Sequence, residues 1–175
     1  MLEEFFKIII NLKDIQRKGW KNKLALEHVE SVADHSYSMT LMAMILSDLQ
    51  GLDSTKIMKM SLLHDLVESV VGDFTPEEIS KAKKHELENK EMKIILSKLP
   101  SNLINKYNDL WDEFQIQESK ESIFVHELDR LEMLYQAKKY LDNGIPREKI
   151  QPFIDTGNNE IKNEKLRELI SDLFQ

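Results

Sequence analysis

Apolar residues recur at steps of three and four along most of the chain, and no segment shows the sustained alternation of a half-buried strand. Leu2, Phe5, Phe6, Ile9 and Leu12 predict a helix over 2–13. Residues 14–30 carry no such period and read as irregular. Ser31, with Asp34 three residues on, is placed to cap a long helix over 31–49 that Gly51 ends. Asp53 or Ser54 starts the next, over 54–69. Gly72 and Asp73 mark a turn, after which Thr75, Pro76 and Glu78 form a helix-start signature. Further helices are expected over 82–98, where Pro100 stops the run, and over 101–114, 118–142, 146–154 and 160–174. The fold class this predicts is all-α, and five glycines and four prolines leave little material for hairpins.

Length and charge narrow the picture. A chain of 175 residues suits a single domain over 1–175, and at that size roughly 70% of the unfolded surface is buried on folding. Hydrophobic residues at 41% and charged residues at 31% describe a globular chain rather than a disordered one. A net charge of −7 argues against polymeric nucleic acid, which needs extended positive surface. The one basic stretch, RKGWKNK at 17–23, suits a single small anion. There is no cysteine, which excludes disulfides, thiolate metal sites and a Cys nucleophile and fits a reducing, cytoplasmic setting. The opening MLEEFFKIII has two acids and no basic start, unlike a secretory signal. No apolar run approaches the roughly 18 residues of a membrane span.

Against this background, SLLHDLVES at 61–69 stands out, because His64 and Asp65 interrupt a run in which Leu62, Leu63, Leu66 and Val67 call for burial. His35 shares a face with Met39, Met42 and Leu46, and His64 with Ile57, Met60 and Val67. Asp129 lies one turn from Val125 and from Met133. Any one of these alone reads best as a core or capping histidine, or as an aspartate paired with arginine. Three helices aiming such groups inward is a different matter, since an inward carboxylate is costly unless paired, protonated or metal-bound. Two imidazoles and the carboxylates of Asp65 and Asp129 suit an octahedral divalent ion with two positions left open. Glu68, one turn after His64, could take a proton from a bound water or simply end a helix in solvent. Asp73 follows Gly72, where turn chemistry is the default. His28, His85 and His126 sit in polar surroundings and are expected to face solvent, with His28 near enough to the irregular segment to line a pocket.

Four stretches taken together carry a family resemblance: IQRKGW (15–20), ESVADHSYSM (30–39), LLHDLVESVVGDFTP (62–76) and FVHELDRLEM (124–133). In that order they resemble the HD-domain phosphohydrolases, and within them the 5′-deoxynucleotidase family, over residues 3–172. The resemblance implies an HD helical bundle with its metal-binding core over 31–133. It implies one divalent ion (Mn, Co, Fe, Zn or Mg) on His35, His64, Asp65 and Asp129. It implies catalytic roles for Glu68 and Asp73, and a substrate site formed by Arg17, Lys18, Trp20, His35 and Asp73, with Trp20 crowding the sugar. Some members carry Arg directly before the Trp; here Gly19 stands there, which leaves Arg17, Lys18 or Lys21 to meet the substrate. Ser38 stands where members often have Arg. A homodimer acting on a nucleoside monophosphate is the implied assembly. The alternatives are HD chemistry on a nucleoside triphosphate or cyclic dinucleotide, and a metal-stabilised helical module without turnover.

Overall fold

A computed structural model describes residues 2–175; Met1, where the expected domain begins, lies outside the described residues. The amphipathic start forms α1 (Leu2–Asn11), followed by a short 3₁₀ turn over Leu12–Asp14. Residues 14–30 are not uniformly irregular as the pattern predicts, because α2 (Lys18–Leu24) lies within them. It has no side-chain cap and is held instead by its two buried anchors, Trp20 and Leu24, one turn apart. Gln16 and Ser31 pair in an isolated antiparallel bridge, and among the described residues there is no strand.

Ser31 and Asp34 form the expected capping box at the start of α3 (Val32–Gln50), and Gly51 ends it in the left-handed conformation with φ of 67°. Asp53 caps α4 (Ser54–Leu63) by accepting from Lys56 N. The helix expected over 54–69 stops six residues early. Its last residues continue as a run of i→i+3 hydrogen bonds, Leu66 N to Leu63 O, Glu68 N to Asp65 O and Ser69 N to Leu66 O, before α5 (Glu68–Val71). Leu62 points outward at 54% exposed, against the expectation of burial, while Leu63, Leu66 and Val67 are buried. The Thr75–Pro76–Glu78 signature closes only one turn, with Glu78 accepting from Thr75 N. Ser80 then caps α6 (Lys81–Leu96).

The remaining helices are α7 (Ser101–Ile116), α8 (Lys120–Asp142), α9 (Arg147–Glu160) and α10 (Glu164–Ile170). α9 runs six residues past its expected end, through Pro152, because Gly157 lets it close on α8: a Cβ there would lie 2.6 Å from Leu134 Cγ. α10 is correspondingly shorter than expected. α8 is buried on most sides and serves two clusters. Leu128, Leu131 and Leu134 join Met39, Ile57, Met60 and Trp111 in the larger one. Met133, Ala137 and Tyr140 join Trp20, Leu24, Ile150 and Ile154 in the smaller. α3 packs against both α4 and α8, and the polar residues of interest lie where these three meet. Among the described residues no helix is long and apolar enough to cross a membrane.

Candidate metal centre

Each arm of the site is set by a local feature. The capping box at Ser31 fixes the first turn of α3, so His35 one turn later enters the interior fully buried. His64 is the C-cap of α4, and Asp65 lies in the tightened turn beyond it. Asp129 comes from the middle of α8. Their tips converge. His35 Nε2 is 3.2 Å from His64 Nε2, 3.2 Å from Asp129 Oδ1 and 3.9 Å from Asp65 Oδ2, and His64 Nε2 is 3.1 Å from Asp65 Oδ2.

The outer nitrogens decide what these tips are. His35 Nδ1 donates to Glu132 Oε2 at 2.5 Å, and His64 Nδ1 donates to the Ser61 carbonyl at 2.7 Å. Each Nε2 of the neutral rings is then a lone pair, and the two face one another. Two lone pairs cannot hydrogen-bond to each other, and two carboxylate oxygens add further negative charge. Asp129 Oδ1 is buried with no hydrogen-bond partner. Four electron-rich atoms drawn together call for a cation. The spacing fits one as well: ligands bound at about 2.1 Å and at right angles stand roughly 3.0 Å apart. His35, His64 and Asp129 offer ligand atoms all within 4.8 Å of one another, a donor set that fits a divalent ion, with Asp65 beside them. Without an ion, a proton substitutes. Burial and the Arg17 charge oppose the charged ring of His35, but the facing carboxylates of Asp129 and Glu132 prevail and raise its pKa to about 10.

A second layer surrounds the first. Glu30, His35 and Glu132 offer ligand-type atoms all within 4.8 Å of one another. Burial and the neighbouring Glu132 lift Glu30 to about 7. Glu30 accepts from Trp20 Nε1 at 2.8 Å, and its backbone N–H donates to Tyr140 Oη. Arg17 spans the layers, with Nη1 3.4 Å from Asp65 Oδ2 and Nε 3.8 Å from Glu30 Oε1. Burial costs the guanidinium, but Asp65, Asp129 and Glu30 hold it firmly charged. Burial alone would raise Asp65 and Asp129. His64, Arg17 and His35 together outweigh it for Asp65, and Arg130, His35 and His64 together for Asp129, leaving both carboxyls well below the usual range. Arg130 donates to Asp129 Oδ2 at 2.9 Å, which leaves Oδ1 for the centre.

Not all the residues singled out from sequence reach this point. Of the three basic candidates, Arg17 alone reaches the Asp65 carboxylate; Lys18 Nζ pairs with Glu78 and Lys21 Nζ with Gln16, both in solvent. Trp20 is 1% exposed, its ring 4.0 Å from Phe153 and 5.2 Å from Tyr140. Asp73 Oδ2 accepts from the Lys18 backbone N–H at 2.7 Å, tying the loop to the start of α2. Glu68 is buried rather than solvated. Its Oε1 meets Lys84 Nζ at 3.3 Å and its Oε2 has no partner. Burial first, then Asp65 and Asp73, push its carboxyl far above the ordinary value. His28 and His85 are exposed, and His28 lines a cavity of about 440 Å³ with Glu30, Tyr37 and Tyr140. His126 departs from the expectation of facing solvent: it is half-buried, stacked on Phe114 at 4.3 Å with Nε2 donating to the Phe114 carbonyl. Glu30, Glu132 and Lys84 were not singled out by pattern. Glu132 carries one usable signal, its place three residues after Asp129 on the same helix.

Residues 9–170 match the HD domain family. The chain belongs to it. The chain is 35% identical over 173 residues to the human protein named 5′-deoxynucleotidase HDDC2, covering 98% of this chain and 84% of that one. A Dictyostelium discoideum protein of the same name is 37% identical over 184 residues, covering 97% and 95%. Among solved structures, a conserved hypothetical protein from Pyrococcus furiosus superposes with a TM-score of 0.79 at 26% identity, covering 97% of each chain. The HD-domain arrangement thus extends over nearly the whole chain, including α2 and α9 at its edge.

Proposed function

We propose that this HD-domain chain is a metal-dependent 5′-deoxynucleotidase, releasing phosphate and a deoxynucleoside from deoxyribonucleoside 5′-monophosphates. The observation that carries it is the pair of facing imidazole lone pairs with two carboxylate oxygens 3.1–3.9 Å from one or other of them, drawn from α3, the end of α4 and α8. The names of the relatives supply the substrate class. His35, His64, Asp65 and Asp129 would hold the ion, and the imidazole pair favours manganese, cobalt, iron or zinc ahead of magnesium. A bound divalent ion supplies Lewis acidity, drawing charge from the phosphate and acidifying water.

The chain's own groups do the rest. Arg17 binds a phosphate oxygen and is already charged and fixed between Asp65 and Glu30. Glu68 takes the proton of the attacking water on Oε2, its unpartnered oxygen, and burial raises its affinity for a proton. Asp73 and Lys18 sit together at the substrate side, and Trp20 shapes the wall there through Glu30. A metal-tied scaffold without turnover has no use for a buried carboxylate with one oxygen unsatisfied. We take the chain to act as one domain over 1–175, in the cytoplasm and as a homodimer. The exposed outer stripe Tyr37, Leu41 and Ile45 of α3 is the candidate face for the second copy.

The test is phosphate release from paired deoxy- and ribonucleoside 5′-monophosphates, with nucleoside triphosphates and cyclic dinucleotides alongside, each with added divalent metal and after chelation. The expected result is turnover of deoxy monophosphates that disappears with the metal. Turnover confined to triphosphates or cyclic dinucleotides would move the assignment to another HD chemistry, and none at all would leave the scaffold reading.

A further inference from the structure

α6 opens with three lysines, and they do not behave alike. Lys81 and Lys83 are exposed, whereas Lys84 turns inward with its side chain 29% exposed. Its ammonium sits between two carboxylates, 3.3 Å from Glu68 Oε1 and 3.4 Å from Glu88 Oε1 one turn further along. Glu68 stands on α5, which packs against α6, and its side chain is 3% exposed. Among the described residues Lys84 is the only hydrogen-bonding partner of that carboxylate, and it occupies one oxygen alone. A buried carboxylate gripped at one oxygen cannot spin freely about its last torsion, which is otherwise broad and two-fold. The second pin, on Glu88, takes from the lysine the rotamer freedom it would otherwise spend elsewhere.

We propose that Lys84 is the positioning residue for Glu68: it holds Oε1 so that Oε2 is the oxygen presented to the reaction. The proposal rests on the role given to Glu68 above. It makes Lys84 a residue acting through Glu68, not one that touches the phosphate. The alternative is a partly exposed ion pair with a merely structural part, which would be worth little.

Steady-state kinetics on a deoxynucleoside 5′-monophosphate with added manganese separates these. Lys84→Met should lower kcat by roughly 10- to 100-fold, a share of the 10²–10⁴-fold that a positioned base contributes. KM and bound metal per chain should stay at their parent values. Lys84→Arg, which keeps a cationic donor, should recover most of the loss. Adding Lys84→Met to Glu68→Gln should cost nothing more, because the group being positioned is already gone. Should Met at 84 prevent folding, Lys84→Gln carries the same expected split. A raised KM with parental kcat would make Lys84 a substrate contact and overturn the proposal, as would multiplicative losses in the double variant. Full turnover in Lys84→Met with low turnover in Glu68→Gln overturns this proposal only; full turnover in Glu68→Gln alone overturns both.

Discussion

On one side of α8, Asp129 and Glu132 meet His35, His64, Asp65 and Arg17, and nearly every buried tip carries a charge or a lone pair. On the other, Met133, Ala137 and Tyr140 meet Trp20, Leu24, Ile150 and Ile154, and the contacts are apolar. The second region satisfies itself, since rings at 4.0 and 5.2 Å fill the space and the one indole N–H finds Glu30. The first does not: among the described residues Asp129 Oδ1 has no hydrogen-bond donor, and the two imidazole Nε2 atoms face one another. The contrast assigns different work to each. The polar side is incomplete without an outside cation and gains little from packing. The apolar side completes the fold and in doing so delivers Arg17, at the start of α2, to the rim of the polar side.

The largest effect expected is on the polar side. Asp65→Ala removes one of the proposed ligands and the partner of both His64 and Arg17. Phosphate release should fall roughly 10⁴-fold, about 5 kcal/mol of transition-state stabilisation, in line with the several kcal/mol a catalytic ion supplies. Metal measured on the purified variant should fall with it. A variant that keeps its turnover while losing metal would break the comparison, since the polar side would then work without its cation.

Next in size is a change on the apolar side. Trp20→Ala vacates a fully buried ring and should cost about 3–5 kcal/mol of stability in urea unfolding. Metal content of the folded protein should be unchanged, because no ligand touches Trp20. KM for the monophosphate should rise, since α2 and Arg17 lose their anchor. Loss of metal in Trp20→Ala would show that the two sides are one unit.

How far each side could be read from sequence follows the same division. His35, His64 and Asp129 were legible because each breaks an apolar stripe of regular period. The outer layer was barely legible: beyond the step of Glu132 from Asp129, Glu132 and Glu30 matter through contacts between residues about a hundred positions apart, which no local pattern carries. Lys84 is hidden among neighbouring lysines of the same composition, and only the packing of α6 on α5 separates it. The turn at 64–67 hid for another reason. An apolar run looks alike at 3.6 and at 3.0 residues per turn, yet the tighter turn brings Asp65 and Glu68 nearly into line. The long helices of 31–50 and 120–142 were legible from caps and periodicity alone. α2 was not, since seven residues with a glycine and no side-chain cap form a helix only when α9 covers Trp20 and Leu24.

That dependence sets the smallest effect. α2 is tied to the 73–78 loop by the surface pairs Lys18–Glu78 and Lys23–Glu77, and to the interior by Trp20 and Leu24. If packing holds the helix, the surface ties contribute almost nothing, because exposed ion pairs are screened and spend side-chain entropy to form. Lys23→Ala should therefore leave the urea midpoint unmoved beyond the scatter of repeated titrations, at low salt and at high salt alike. Turnover should also stay at the parental level, since Lys23 lies more than a full turn beyond Lys18 and its amine reaches Glu77 rather than the proposed ligands. A midpoint that drops at low salt and recovers the parental difference at high salt would mean that charge, not the buried indole, fastens α2 in place. Arg17 would then be delivered to the metal centre by the surface of the molecule rather than by its second core.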